Sequence, residues 1–175
     1  MENVVIKMER IRIAKIINTH GIKGECKIQM FDDIEYNCFL CGKKLSLTNG
    51  KENVDVTPLR LREHKGFPLV VFQELTNMSE AEKYKNYLIE MELDDLPEKE
   101  DGSYYNFELI GLNVCDEDNN TLGIVKSIEK TKANDVIRVE REIGKDLLIP
   151  FVDAFVVDID MDEEKMVIHV IEGLL

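Results

Sequence analysis

The stretch Leu93-Asp-Asp-Leu-Pro-Glu-Lys-Glu-Asp-Gly-Ser-Tyr-Tyr105 separates two parts of this 175-residue chain. The alternation of polar and apolar residues stops here, and the segment is acidic, contains a proline and a glycine, and has few apolar residues to bury. This composition is typical of a boundary between domains. The sequence therefore predicts two domains, residues 1–93 and 104–175, joined by an acidic linker at residues 94–103.

The first part of the chain has the pattern of a small β domain. Residues 10–17 alternate polar with apolar side chains, which is the period-two pattern of a half-buried strand. A loop with two glycines follows at residues 18–25, and a second strand begins at Cys26. One short helix is expected, because Ser79-Glu-Ala-Glu82 has the sequence of a capping box, and it should run to about Tyr87. We expect an all-β barrel with one short helix.

The second part of the chain also has the pattern of short strands. Turns recur about every ten residues, and this rhythm is typical of small sandwiches and barrels. About six strands are expected, at residues 112–115, 122–128, 136–139, 147–149, 155–160 and 166–171. The whole chain is therefore predicted to be all-β, with two small β-barrels.

The composition indicates a globular protein that remains in the cytoplasm. Hydrophobic residues make up 44% of the chain and charged residues 33%. No apolar run reaches the roughly 20 residues that a membrane-spanning helix needs, and the N-terminus lacks a basic region followed by an apolar stretch. We expect a monomer with no membrane contact.

The net charge of −13 is distributed unevenly along the chain. Residues 1–97 contain 14 Lys and Arg against 16 Asp and Glu, whereas residues 98–175 contain 8 against 19. An acidic surface repels phosphates and attracts basic proteins. If nucleic acid is contacted, the first domain is therefore the expected surface, and the second is suited to a basic protein. The alternative is that the acidic residues only keep a small β domain soluble.

Side chains suited to catalysis or metal binding are few. His64 is expected to be a plain turn residue and His169 a solvent-facing strand residue, and adjacent acidic pairs have the context of surface turns. Cys38 and Cys41 have a CxxC spacing, but no second pair follows at a zinc-finger distance, so reduced thiols are expected. The sequence also lacks the nucleotide-binding GxxxxGK[ST] loop, the GxSxG elbow and the HExxH helix. We expect no catalysis, no metal and no cofactor.

Basic residues are concentrated around the first glycine loop, where only one acid, Glu25, interrupts them. Such a strand-loop-strand unit can contact phosphates through charge and loop amides without reading sequence. A strand with a merely solvated basic face is the alternative. No aromatic residues accompany the basic ones, so binding of single strands by base stacking is not predicted. The candidate RNA-binding residues are Arg10, Arg12, Lys15, His20, Lys23 and Lys27.

Several segments, in order along the chain, resemble the RimM family of ribosome maturation factors. The glycine-loop segment Arg12-Ile-Ala-Lys-Ile-Ile-Asn-Thr-His-Gly-Ile-Lys-Gly-Glu25 is similar to the opening motif of that family, and Ser79-Glu-Ala-Glu82 to its helix start. Further landmarks in the second half are Tyr104-Tyr-Asn-Phe-Glu-Leu-Ile-Gly111, Ala133-Asn-Asp-Val136, Leu148-Ile-Pro150 and Ile171-Glu-Gly-Leu-Leu175. Together they cover the chain nearly from end to end.

The resemblance implies a first barrel related to the second domain of translation GTPases and a second barrel of the PRC type. It also implies binding to the immature small ribosomal subunit, mainly through the head protein numbered nineteen, and help in folding and processing the head of the ribosomal RNA. No catalysis is implied. In that family a tyrosine pair at the start of the second barrel matters for ribosome binding, and here that pair is Tyr104 and Tyr105.

The chain departs from the family pattern in two places. Glu108 stands where an aspartate is usual, which keeps the charge, and residues 31–38 lack the usual proline, so the contacts of the family are not carried over to that loop. Two other function classes remain open. One is an enzyme that modifies or trims RNA, which the thin set of candidate catalytic groups disfavours. The other is a PRC-type scaffold that binds a different protein, which the glycine-loop domain disfavours.

Overall fold

The computed structural model describes residues 9–31, 33–100 and 102–174. The chain forms two compact units, Met1–Glu98 and Lys99–Leu175. The division falls inside the segment predicted as a linker. At the start of that segment, Leu96 is buried and the carboxylate of Asp95 lies 3.1 Å from the Lys43 ammonium, so these residues belong to the first unit.

The first unit is a seven-stranded sheet in which all neighbouring strands are antiparallel. The strand order is β4-β3-β7-β1-β2-β6-β5, with the longest strand, β1, at the centre. A 3₁₀ helix at Tyr36–Cys41 follows β2, and another lies at Leu93–Asp95. The strands are β1 (Arg10–His20), β2 (Glu25–Met30), β3 (Leu45–Thr48), β4 (Asn53–Val56), β5 (Pro58–His64), β6 (Phe67–Phe72) and β7 (Leu88–Glu92).

Strand β1 is less regular than its sequence pattern predicts. Its register with β7 shifts between Arg12 and Ala14, and its register with β2 shifts between Ile16 and Asn18. A bulge adds one residue to a strand and so resets the alternation of its faces. As a result the consecutive residues Ile13 and Ala14 are both buried.

The short helix of the first unit, α1, spans Met78–Glu82 and does not begin or end where the sequence predicts. Its N-cap is Asn77 rather than Ser79, because the Asn77 side chain accepts a 3.0 Å hydrogen bond from the Glu80 amide. The Glu80 carboxylate reaches back and accepts a 2.8 Å hydrogen bond from the Thr76 amide. The capping interactions thus begin two residues earlier than predicted, and the helix stops at Glu82 instead of near Tyr87.

The second unit is a six-stranded sheet in the order β11-β10-β9-β8-β13-β12. All neighbours are antiparallel except β8 and β13, which are parallel. A short helix that the sequence pattern did not predict, α2 (Asn106–Leu109), leads into the sheet and buries Leu109 in its core. The strands are β8 (Asn113–Asp116), β9 (Thr121–Glu129), β10 (Val136–Glu140), β11 (Leu147–Pro150), β12 (Val156–Asp160) and β13 (Lys165–Ile168).

The all-β prediction is confirmed, with one short α-helix in the first unit as expected. Within residues 9–31, 33–100 and 102–174, no helix is long and apolar enough to cross a membrane. The same residues contain no group of three or more His, Cys, Asp or Glu side chains placed to hold a metal ion. The side chain of Cys41, from the predicted CxxC pair, lies outside what the structure describes.

Candidate nucleic-acid and protein interfaces

The glycine loop between β1 and β2 packs tightly against the start of α1. Gly24 has φ +75°, and a β-carbon there would lie 2.7 Å from the backbone oxygen of Asn77. On the other side of the loop, the Met78 amide donates to the Ile22 carbonyl at 3.3 Å. Only glycine fits at position 24, because a side chain would meet both an unfavourable φ and a backbone atom. The loop therefore holds the ends of β1 and β2, His20 and Glu25, in fixed positions.

Glu25 is a buried carboxylate at the start of β2 that binds two arginines of β5. It is 6% exposed. Arg62 contacts it at two atoms, with Nε 2.8 Å from Oε1 and Nη2 2.5 Å from Oε2, and Arg60 Nη2 lies 3.0 Å from Oε1. These bonds, led by that from Arg62, lower the pKa of Glu25 from 4.5 to about 2 although burial opposes the shift. The carboxylate stays ionised and fixes both guanidinium groups.

Two further contacts bring basic side chains to the same place. The rings of His20 and His64 lie 4.8 Å apart between centroids, and the Lys27 ammonium lies 3.8 Å from the centroid of the Phe67 ring. Burial lowers the pKa of His64, and the positive charges of His20, Lys65, Arg62 and Lys27 lower it further. We call the following residues the cation cluster: His20, Lys27, Arg60, Arg62 and His64.

The cation cluster includes some of the residues predicted from sequence and leaves out others. His20 and Lys27 belong to it. Arg10 and Arg12 lie elsewhere, since they pair in register with Glu92 and Glu90 of β7, and the Arg12 Nε lies 3.6 Å from a Glu90 carboxylate oxygen. Their charges are therefore offset by neighbouring acids.

Lys15 and Lys23 complete the predicted set of basic residues. Lys15 is half-buried in the central part of β1, where it pairs with Gln29 of β2 and Leu88 of β7. Lys23 is exposed in the turn between β1 and β2. Within the described part of the chain, neither is joined to the cation cluster by a contact that the structure records.

Sequence analysis did not single out the β5 members of the cluster. Arg60, Arg62 and His64 alternate along that strand, and alternate residues of a strand share a face. His64 was expected to be a plain turn residue, whereas it is the last residue of β5 and its ring lies against His20. The signal in the sequence was the spacing Arg-x-Arg-x-His. The spacing alone does not show that these side chains lie near Glu25 and His20. That follows from β6, which pairs with both β2 and β5.

In the second unit, the two tyrosines predicted as partner contacts have different environments. Tyr105 is 9% exposed, its ring is stacked on Phe107 with centroids 5.6 Å apart, and the Lys99 ammonium lies 4.4 Å from its centroid. Its amide donates to the Glu108 carboxylate at 2.6 Å, which anchors the first turn of α2. Glutamate at position 108 thus performs a helix-capping role. Tyr105 is part of the packed start of this unit.

Tyr104 is half-buried and lines an open groove of about 260 Å³ in the second unit. The lining is both apolar and acidic. Its apolar residues include Phe151 and Val157, and Val157 is 52% exposed; its acidic residues are Asp153 and Asp158. Lys99 donates a 3.1 Å hydrogen bond to the Tyr104 carbonyl and so holds the backbone at the edge of the groove. We call this the Tyr104 groove. An aromatic ring, an exposed valine and two acids suit a basic segment of another protein.

The remaining candidates from the sequence have ordinary structural settings. His169 is exposed, as expected, but it lies one residue beyond the end of β13 rather than in a strand, and its Nδ1 lies 2.6 Å from a Glu117 carboxylate oxygen. Cys26 and Cys115 are buried in different units, and burial raises the pKa of the Cys26 thiol to about 12. The Cys26 thiol is therefore a poor nucleophile at neutral pH.

Two family models match the chain in sequence, one for each unit. The RimM N-terminal domain matches residues 11–96, and the RimM PRC barrel domain matches residues 106–174. The chain belongs to the RimM family. The resemblance inferred from the ordered sequence segments is thereby confirmed.

Two Bacillus relatives of similar length agree with the assignment to the RimM family. Ribosome maturation factor RimM of a Bacillus cereus strain is 38% identical over 165 residues, which cover 93% of this chain and 96% of that protein. The corresponding protein of Bacillus thuringiensis strain Al Hakam is also 38% identical over 165 residues, with the same coverage. The crystal structure of a putative 16S ribosomal RNA processing protein RimM from Pseudomonas aeruginosa is 28% identical, covers 93% of this chain and 98% of that one, and has a TM-score of 0.47.

Proposed function

We propose that this protein is a non-catalytic ribosome maturation factor that binds precursors of the small ribosomal subunit. The observation that carries the proposal is the match of both RimM family models, in order, to residues 11–96 and 106–174. In this proposal the protein assists folding and processing of the head of the small-subunit ribosomal RNA. As part of the same proposal, the protein acts in the cytoplasm as a monomer and requires no cofactor.

The proposed protein partner is the small-subunit head protein numbered nineteen, bound by the second unit. Residues 99–175 contain 18 Asp and Glu against 8 Lys and Arg, so the unit attracts a basic partner over about a Debye length. In the Tyr104 groove the tyrosine offers a rigid amphipathic surface with little side-chain entropy to lose. Tyr105, which is buried beside it, positions Tyr104 through the packed turn before α2.

The proposed RNA contact is the cation cluster of the first unit. His20 and Lys27, from the predicted set, act together with Arg60, Arg62 and His64. Glu25 offsets one of the two guanidinium charges, so the pair keeps one net positive charge, and it holds both groups in place, so less conformational entropy is lost when they meet a phosphate. Lys15 and Lys23 add positive charge nearby along the chain, whereas Arg10 and Arg12 contribute less because Glu92 and Glu90 lie opposite them. Such contacts fix position and depend on salt, without reading base sequence.

The mechanism is a shift of population rather than a chemical step. A precursor head samples several arrangements of protein and RNA, and a factor that binds one arrangement more tightly increases its population. Binding the head protein with one unit and nearby RNA with the other favours arrangements in which the two are close. Affinity for the mature subunit must then be lower, so that the factor leaves when assembly is complete.

Calorimetric titration of the full-length protein with the purified head protein tests the proposed partner. A second basic protein from the body of the small subunit, matched in net charge, serves as the control. We expect saturable binding to the head protein that is at least about tenfold tighter than to the control. Equal binding to the two would show that only charge is recognised, and the assignment of this partner would then be wrong.

A further inference from the structure

A second open groove lies in the first unit, directly beside the cation cluster. It has a volume of about 740 Å³ and is formed by the end of β2, the start of β6 and the 3₁₀ helix Tyr36–Cys41. Ile28 and Ile34, both buried, belong to its lining. Tyr36 and Phe67 also line it and are 46% and 37% exposed. We call it the Tyr36–Phe67 groove.

The groove and the cation cluster meet at Phe67. The Lys27 ammonium lies 3.8 Å from the centroid of the Phe67 ring, and Phe67 pairs in register with His64. The ammonium covers one face of the Phe67 ring, so positive charge adjoins the aromatic residue that lines the groove. Such a sequence of surfaces matches one nucleotide, which has a flat apolar base and a negatively charged phosphate.

The polar part of the lining suits the edge of a base. Gln29 and Asn37 each carry an amide, which offers both donors and an acceptor. Glu35 also lines the groove, and its carboxylate accepts a 3.2 Å hydrogen bond from the Asn37 amide nitrogen. A carboxylate inside the groove disfavours a phosphate there. The phosphate is therefore directed to the cluster and the base to the groove.

We infer that the Tyr36–Phe67 groove binds an unpaired base of single-stranded RNA while the cation cluster binds the adjoining phosphate. The inference rests on the proposed function, since it names the form of RNA that the first unit contacts. A base inside a duplex cannot enter, because it is stacked and paired. The first unit therefore selects RNA that has not yet formed its helix, which is a property of an unfolded precursor.

The linear sequence disfavoured base stacking because no aromatic residue accompanies the basic ones. The fold supplies the aromatics from distant positions: Phe67 comes from β6 and Tyr36 from the 3₁₀ helix after β2. Strand β6 pairs with β2 through Lys27 and Leu69, which places the start of β6 beside the basic residues.

The test is fluorescence anisotropy of the full-length protein with a labelled single-stranded oligoribonucleotide and with a hairpin of equal phosphate number whose loop is a non-nucleotide linker, so that every base of the hairpin is paired. The variants are Tyr36→Leu and Phe67→Leu, which keep apolar bulk but remove the aromatic faces. Tyr84→Leu is the control, because Tyr84 is an aromatic residue outside the groove whose ring contacts Tyr87. Thermal unfolding of each variant establishes that it is folded.

We expect the wild type and Tyr84→Leu to bind the single strand at least about tenfold more tightly than the hairpin. Tyr36→Leu and Phe67→Leu should lose roughly 5- to 150-fold in affinity for the single strand, which is the range for one stacked base, and keep their affinity for the hairpin. Folded variants that bind the single strand like the wild type would overturn the inference.

Crosslinking gives a second, positive readout. An oligoribonucleotide that carries 4-thiouridine should crosslink to the peptides that contain Tyr36 or Phe67, and crosslinks confined to other peptides would overturn the inference. Failure of the proposed function is recognised separately, by titrating the wild type with precursor subunits. If precursors bind but the single strand is not preferred, only the groove assignment is wrong; if precursors do not bind, the proposed function itself is wrong.

Discussion

Arg62 and Glu25 form a two-point ion pair between β5 and the start of β2, with Nε to Oε1 at 2.8 Å and Nη2 to Oε2 at 2.5 Å. The carboxylate is nearly inaccessible to solvent, whereas the arginine side chain is 39% exposed. The pair therefore joins the interior of the sheet to its surface. It also sets the direction of the guanidinium group that we propose to meet RNA.

Glu25→Gln should destabilise the first unit by about 1–3 kcal/mol, because the two arginines lose an ionised partner whose own side chain is buried. The measurement is urea unfolding at neutral pH. Glu90→Gln is the matched control, since it removes a single longer contact, at 3.6 Å, to Arg12; the side chains of Arg12 and Glu90 are 67% and 17% exposed. That substitution should cost less than about 1 kcal/mol. Equal costs for the two variants would contradict the structural role of Glu25.

The stability difference between wild type and Glu25→Gln should also depend on pH. The pKa of Glu25 is lowered in the folded protein from 4.5 to about 2, chiefly by Arg62, so its contribution is complete above pH 4.5. As the pH falls from about 4.5 towards 2, the carboxylate takes up a proton and that contribution is lost. The difference in free energy of unfolding should shrink over this range. A difference that stays constant with pH would show that the carboxylate is not held ionised by the arginines.

Gly24→Ala should destabilise the first unit by about 2 kcal/mol, because an alanine there has φ +75° and places its β-carbon 2.7 Å from the Asn77 carbonyl oxygen. Gly21→Ala is the matched control: its φ is +69°, but nothing lies within 4 Å of the added carbon. Alanine at position 21 should therefore cost only about 1 kcal/mol. The measurement is the free energy of unfolding of each variant. Gly21→Ala reports the backbone strain alone, and Gly24→Ala reports the same strain plus the collision with Asn77. Similar values for the two would argue against tight packing of the loop.

His64 should take up a proton when the protein binds RNA. Burial and the neighbouring charges of His20, Lys65, Arg62 and Lys27 lower its pKa in the free protein, and a bound phosphate acts in the opposite direction. Affinity for RNA should therefore rise as the pH falls, and become constant once the pH lies below the pKa of His64 in the free protein. His64→Gln should flatten this dependence. The same slope in variant and wild type would remove His64 from the phosphate site.

The sequence predicted the local features of the fold, such as strands and turns, more accurately than the residues of the cation cluster. Alternation in β1 and the paired glycines after it are local features, so they could be read directly. The approach of Arg60 and Arg62 to Glu25 could not, because it depends on β6 lying between β2 and β5. The N-cap of α1 was misplaced because Asn77 and Ser79 both precede a glutamate by three residues, and only the backbone shows which side chain caps.

The tyrosine pair shows a similar limit. The resemblance to the RimM family implies that both tyrosines contact the partner. Their division into a ring packed on Phe107 and a ring in an open groove depends on the turn before α2. The helix itself spans only Asn106–Leu109, which is too short to show helical periodicity in the sequence.

Tyr105→Ala and Tyr104→Ala should separate stability from binding. Tyr105 is 9% exposed, so its removal should destabilise the second unit by about 2–4 kcal/mol. Tyr104 is half-buried in the groove, and its removal should cost about 1 kcal/mol while weakening binding to the head protein about tenfold or more. Thermal unfolding and calorimetric titration of both variants give the comparison. Unchanged binding in a folded Tyr104→Ala protein would exclude the groove as the docking site.

The most direct test of the central claim is sedimentation of the full-length protein with small-subunit precursors and, in parallel, with mature small subunits at two salt concentrations. We expect co-sedimentation with precursors at least about tenfold stronger than with mature subunits, and a weakening of both at higher salt as phosphate contacts are screened. Equal binding to precursors and mature subunits, or binding to neither, would contradict it.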